Sequence, residues 1–154
     1  MSLDDLARLP LVADQVFITE NLMTYLSFPK VHGSIAIFGE GKAGERLGRL
    51  EWLRLRPLWY WGDIDSHGLE ILRQLRRQFS HLRSLLMGIE TLRAFEHLVS
   101  LGKPTASLEL KGLTESEAES ARRVLVQGEL LEQEKIPQQA VFAALRDAGL
   151  SCAF

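Results

Sequence analysis

The sequence has a single cysteine, Cys152, only two tyrosines, and no apolar run long enough to cross a membrane as a helix. One cysteine excludes an internal disulfide framework and a Cys-based zinc site. A spanning helix needs about 18 consecutive apolar residues, and no segment offers them; the start also lacks the basic and apolar regions of a secretory signal. The expected address is therefore cytoplasmic. Also missing is an excess of positive charge: 18 Lys and Arg against 20 Asp and Glu give a net charge of −2 and no global electrostatic case for a nucleic-acid partner. What is present is ordinary for a globular chain, with 46% apolar and 25% charged residues, which argues against disorder and against fibrous repeats. The 154 residues are one domain's worth, enough to bury roughly 70% of the surface that the unfolded chain exposes.

The charge is uneven. Residues 1–40 carry 2 basic and 5 acidic side chains, residues 41–83 carry 9 and 5, and residues 84–154 carry 7 and 10. Eight of the nine middle cations are arginine, the side chain suited to bidentate phosphate contact, although solvated helix faces account for them equally well.

Apolar periodicity alternates between strand and helix. Val16–Thr19, Ile35–Phe38 and Leu58–Trp61 read as buried strands, with Leu82–Met87 a fourth. Between them, helices are expected over Asn21–Phe28, Lys42–Arg56 and Ser66–Phe79, the last with Leu69, Leu72, Leu75 and Phe79 inward and Arg73, Arg76 and Arg77 outward. Further helices are expected over Glu90–Leu101, from the capping box Thr114-x-x-Glu117 towards Leu131, and from Pro137 to Gly149. Strands separated by such helices predict an α/β fold: a central parallel sheet of about four strands, with helices on both faces and further helices at the C-terminus.

In a parallel sheet the carboxyl ends of the strands line the ligand crevice. Here those ends carry Glu20, the Gly39-Glu40-Gly41 loop, and Asp63 with Asp65. Clustered carboxylates repel one another unless a cation offsets them, and their oxygens suit hard divalent ions such as Mg²⁺. Other roles are open: Asp65 suits an N-cap of the following helix, Glu20 a solvated strand end, and His67 a surface position at a helix start. Gly39-x-Gly41 is compatible with a backbone loop near phosphate, but lacks the rest of a dinucleotide or Walker motif. Tyr25 and Tyr60 fit packing positions better than that of an exposed nucleophile.

Thr19-Glu20-Asn21-Leu22 with Pro29, Gly39-x-Gly41, Gly62-Asp63-Ile64-Asp65-Ser66-His67-Gly68 with Ile71-Leu72, Ser84-Leu85-Leu86-Met87, and Leu131-Glu132-Gln133-Glu134-Lys135-Ile136-Pro137 together resemble a Toprim domain. The nearer resemblance is to the C-terminal Toprim domain of the Wadjet JetD family, which is related to the topoisomerase VI A subunit. It spans residues 16–137 and implies a Rossmann-like Toprim fold, a core over 15–112, a helical segment over 113–154 and a lead-in over 1–14 whose Met1-Ser2-Leu3 reads as partly vector-derived.

The resemblance also implies an Mg²⁺-dependent DNA endonuclease, with Mn²⁺ a substitute ion and Glu20, Asp63 and Asp65 as catalytic and metal-binding acids. Glu132 and Glu134 fall in the family's tail motif and join Gly39 and Gly41 as accessory candidates, a solvated helix end being their plain reading. Lys42, Arg46, His67, Arg73 and Arg76 are the DNA-contact candidates; double-stranded DNA, an SMC-type Wadjet complex and a second copy of the chain are the candidate partners. Two departures stand out: Gly88 follows Leu-Leu-Met where a further acid is expected, and the family's N-terminal arm and winged-helix part are absent. The competing expectations are a phosphoacceptor receiver domain, suggested by Lys103-Pro104, and a catalytically silent Toprim scaffold.

Overall fold

A computed structural model describes residues 3–8, 13–104 and 107–152; Met1 and Ser2 of the expected lead-in lie outside the described residues. The elements run α1 (Leu3–Arg8), β1 (Gln15–Thr19), α2 (Leu22–Ser27), β2 (Ser34–Phe38), α3 (Ala43–Arg46), β3 (Leu58–Trp61), α4 (Ser66–Gln78), β4 (Arg83–Ser84), α5 (Ile89–Ala94), β5 (Ser100–Leu101), α6 (Glu115–Gln127), β6 (Glu129–Leu130) and α7 (Gln138–Asp147). No helix among the described residues is long and apolar enough to cross a membrane.

The four-stranded sheet has the order β2-β1-β3-β4, and all its pairings are parallel. This is the expected α/β architecture. The order also creates a topological switch point: the chain leaves β1 towards β2 on one side and returns to β3 on the other. Thr19 is in register with Phe38 on one side and Trp61 on the other. Glu20, Gly39 and Gly62 therefore leave the sheet at one level, and the loops that follow share one edge.

Strands β1 and β3 are buried on both faces, Val16, Ile18, Leu58 and Tyr60 almost completely. Helix α4 covers the sheet with Leu69, Leu72 and Leu75, each fully buried; such burial stabilises by about 1.5–3 kcal/mol per side chain. Asn21 caps α2 by accepting from the Thr24 N–H at 2.9 Å, and Thr114 and Glu117 form the expected capping box of α6. Gly128 then ends α6 in the left-handed region, with φ 69°.

Three expectations need correction. The Lys42–Arg56 helix is instead the single turn α3 followed by 3-10 turns at Leu47–Arg49 and Glu51–Leu55. Leu47, Leu50 and Leu53 are buried at a spacing of three, the 3-10 period. The Gly44 carbonyl, which a continuing α-helix would use in its own ladder, accepts from Gln78 Nε2 on α4 at 2.5 Å. The Glu90–Leu101 helix stops at Ala94, because Ser100 and Leu101 pair antiparallel with Leu130 and Glu129. The fourth strand is only β4, as the chain bends at Leu86, which holds a φ of 57°.

Candidate functional site

A cleft of about 180 Å³ opens over the carboxyl ends of β1 and β3, at the switch point. Glu20, Asp63 and Asp65 all line it, joined by His67 and Gly41, so the structure brings together the acids that the strand ends pointed to. Among the described residues, neither Lys nor Arg lines it.

Each acid is held by backbone N–H groups. Glu20 accepts from Gly41 through Oε2 and from Ala43 through Oε1, the latter at 3.2 Å. The glycine loop, compatible by sequence with a nearby phosphate, is here a cradle for a carboxylate. Gly39 is what lets Glu20 approach: a Cβ there would stand 2.6 Å from both carboxylate oxygens. Gly41, at φ 75°, aims its N–H back at the same group. Asp63 Oδ1 accepts from the Gln133 N–H at 2.8 Å, and Asp65 Oδ1 accepts from the Gly68 N–H at 2.7 Å. Asp65 is therefore the N-cap of α4, and it faces the cleft while doing so. Gly68 is in turn required, since a Cβ there would collide with the Asp63 carbonyl oxygen.

The electrostatics follow from this crowding. Burial pushes the Glu20 carboxyl above its ordinary value, against the opposing N–H donors and the nearby His67. Burial likewise raises Asp63; the Gln133 N–H works against it, while the charges of Asp65, Glu134 and Glu132 add to it. Among the described residues, no three His, Cys, Asp or Glu side chains stand close enough to hold a metal ion as they are.

The C-terminal segment reaches the cleft through an antiparallel bridge between Ile64 and Leu131, with N···O distances of 2.9 and 3.1 Å. That bridge delivers Gln133, which sequence reasoning passed over in favour of its acidic neighbours. Gln133 is buried, and its amide donates to the Trp61 carbonyl at 2.9 Å and accepts from the Asn21 N–H at 3.1 Å. Glu134 accepts from Asn21 Nδ2 at 2.5 Å, tying the tail to the start of α2. Glu132 is exposed and pairs with Lys135 at 3.4 Å. The signal was in the sequence: an amide between two glutamates in a short turn is the one member of Glu132-Gln133-Glu134 that tolerates burial as a neutral group.

Tyr60 was the second omission. Its ring packs in the core as expected, but the residue lines the cleft and its hydroxyl has no hydrogen-bond partner among the described residues. Tyr25, in contrast, stacks on Phe38 with ring centroids 5.7 Å apart.

The cationic candidates divide. Lys42 and His67 are exposed, His67 at the cleft itself, while Arg46 pairs with Glu40 beside the loop. Arg73 and Arg76 correct the expectation of an outward face. Arg73 is only 7% exposed and binds Glu70 at 2.6 Å, Glu109 at 3.0 Å and the Lys111 carbonyl at 2.8 Å. Arg76 binds Glu117 at 2.5 and 3.1 Å and the Gly112 carbonyl at 2.8 Å. The reason is helical geometry: with Leu69, these residues sit at i+4 and i+7, on the buried stripe that α6 and the 107–113 segment cover. Arg77, off that stripe, is exposed as expected. Lys103, the receiver-like lysine, is exposed beyond β5 and does not line the cleft.

The family model described as Wadjet protein JetD, C-terminal, matches residues 1–145. No curated protein matches the chain.

Proposed function

This chain belongs to the JetD C-terminal family of Wadjet proteins, and from that premise we propose that it is a metal-dependent DNA endonuclease domain of a Wadjet anti-plasmid system. The observation that carries the reading is the cleft at the β1/β3 switch point, where Glu20, Asp63 and Asp65 converge and, among the described residues, no Lys or Arg joins them. Uncompensated carboxylates at a ligand crevice fit a cation that arrives with its substrate.

The donor set fits Mg²⁺, with Mn²⁺ a substitute. All the donors are hard oxygens, and the two aspartates that line the cleft are each held through Oδ1 by a backbone N–H. Mg²⁺ commonly takes one or two protein carboxylates and completes its shell with water and phosphate oxygens, so three converging side chains are not needed. When bound, such an ion supplies Lewis-acid polarisation of the scissile phosphate and a more acidic water.

The chain's own residues do the rest. Asp63 and Asp65 fix the position of the charge, and the N–H bonds from Gln133 and Gly68 fix them in turn. Glu20, whose affinity for protons burial raises, accepts the proton of the attacking water. Lys42 and His67, exposed at the rim, meet backbone phosphates of double-stranded DNA. The family match also favours an SMC-type Wadjet complex as partner. It supports this reading over the receiver alternative, and the intact acid set supports it over a silent scaffold.

The test is nicking of supercoiled plasmid with Mg²⁺ or Mn²⁺ by the wild type and by Asp63→Ala. Metal-dependent nicking by the wild type alone is expected; equal activity in both overturns the assignment.

A further inference from the structure

Tyr60 is fully buried at 0% exposure, yet its hydroxyl has no hydrogen-bond partner among the described residues. A buried hydroxyl without a partner is costly, and native structures rarely keep one without a reason. Its surroundings supply the reason. Tyr60 lines the cleft with Glu20, Asp63 and Asp65, and the charges of all three act on its phenol. Strand alternation puts Tyr60 and Gly62 on the same side, and a Cβ at Gly62 would collide with the phenolic oxygen. The glycine thus clears the space that the hydroxyl occupies.

We propose that the Tyr60 hydroxyl is a positioning group for a hydrated divalent cation in the cleft, hydrogen-bonding to a water of its shell while Asp63 and Asp65 hold the charge. The inference rests on the metal-dependent reading given above. A phenol suits the task because it both donates and accepts and stays neutral in a buried, anionic setting. It is not a nucleophile towards DNA: a side chain with 0% exposure is out of reach of a phosphodiester.

The test compares the wild type with Tyr60→Phe, which removes one oxygen and keeps the ring in the core. Calorimetric titration with Mg²⁺ alone reads affinity, and near-ultraviolet difference absorbance reads the phenol; with only Tyr25 as the other tyrosine, the signal is assignable. The wild type is expected to bind Mg²⁺ with a tyrosine difference signal. Tyr60→Phe is expected to match the wild type in thermal midpoint, to lose that signal and to bind about tenfold more weakly, the effect of one hydrogen bond to a charged assembly. Equal affinity in the two proteins, or a difference signal that survives in Tyr60→Phe, overturns the role of Tyr60 and leaves the metal reading standing. A wild type that does not bind Mg²⁺ overturns the metal reading itself.

Discussion

Replacing Glu117 with alanine removes a buried carboxylate that accepts four hydrogen bonds from three residues. Its side chain is 4% exposed and receives two bonds from Arg76, one from the Ser84 hydroxyl and one from the Thr114 N–H at 2.8 Å. Deleting one partner of a buried ion pair costs about 3–5 kcal/mol. The lower end applies, because Arg76 keeps the Leu82 and Gly112 carbonyls and is itself 13% exposed. A loss of about 3 kcal/mol corresponds to a fall of roughly 6–12 °C in thermal midpoint for a domain of this size. The pH dependence adds a second readout. Burial pushes the Glu117 carboxyl up, but Arg76, Ser84 and the Thr114 N–H outweigh it and hold the carboxyl below its ordinary value. A depressed carboxylate contributes stability that is present above its unfolded value and lost as pH falls through the folded one. Glu117→Ala therefore flattens the acid limb of the stability profile. Calorimetry from neutral to acidic pH measures both effects. A midpoint shift below about 2 °C at neutral pH, or an acid limb as steep as that of the wild type, refutes the reasoning.

Asp63→Asn has the opposite sign. Burial and three neighbouring acids raise the Asp63 carboxyl, so in EDTA it withdraws stability as pH rises through the carboxylate range. Asparagine keeps the Gln133 contact and removes the charge, so at neutral pH the variant melts no lower than the wild type but loses the Mg²⁺-dependent rise; a large fall in EDTA contradicts the repulsion argument. Gly68→Ala, ordinarily a gain of about 1 kcal/mol within a helix, instead destabilises, because its Cβ meets the fixed Asp63 carbonyl; urea denaturation decides the sign. For DNA binding, Lys42→Ala lowers the salt slope of affinity by about 0.9, one phosphate contact. Arg73→Ala lowers the thermal midpoint and leaves that slope unchanged, because its guanidinium is committed to Glu70 and Glu109. Equal slopes for Lys42→Ala and the wild type remove Lys42 from the interface.

Much of the cleft was legible because it is built from strand ends. A buried β-branched or aromatic run that stops at Glu20 or at Gly62-Asp63 announces both the strand and the residue leaving it. Only the register of Thr19 with Trp61 and Phe38 brings those ends to one level. What the residues did not announce came from contacts distant in sequence. Gln133 reaches Asp63 across 70 positions through the Ile64–Leu131 bridge. Gln78 captures the Gly44 carbonyl and cuts a helix that periodicity favoured.

The sequence by itself determined the α/β alternation, the capping box of Thr114 and Glu117, the N-cap role open to Asp65, and the acids at the ends of β1 and β3, because those depend on local periodicity and short-range hydrogen bonds. The uneven charge and the scarcity of tyrosine were visible there too, but their use was not. Only the tertiary structure turned Arg73 and Arg76 from a phosphate-binding face into internal ion pairs, because the acids that claim them arrive on α6 and the 107–113 segment. Only the tertiary structure, likewise, left one of two tyrosines with a buried hydroxyl and no partner beside three carboxylates, because that requires β1, β3 and the Gly62 turn to meet at one point.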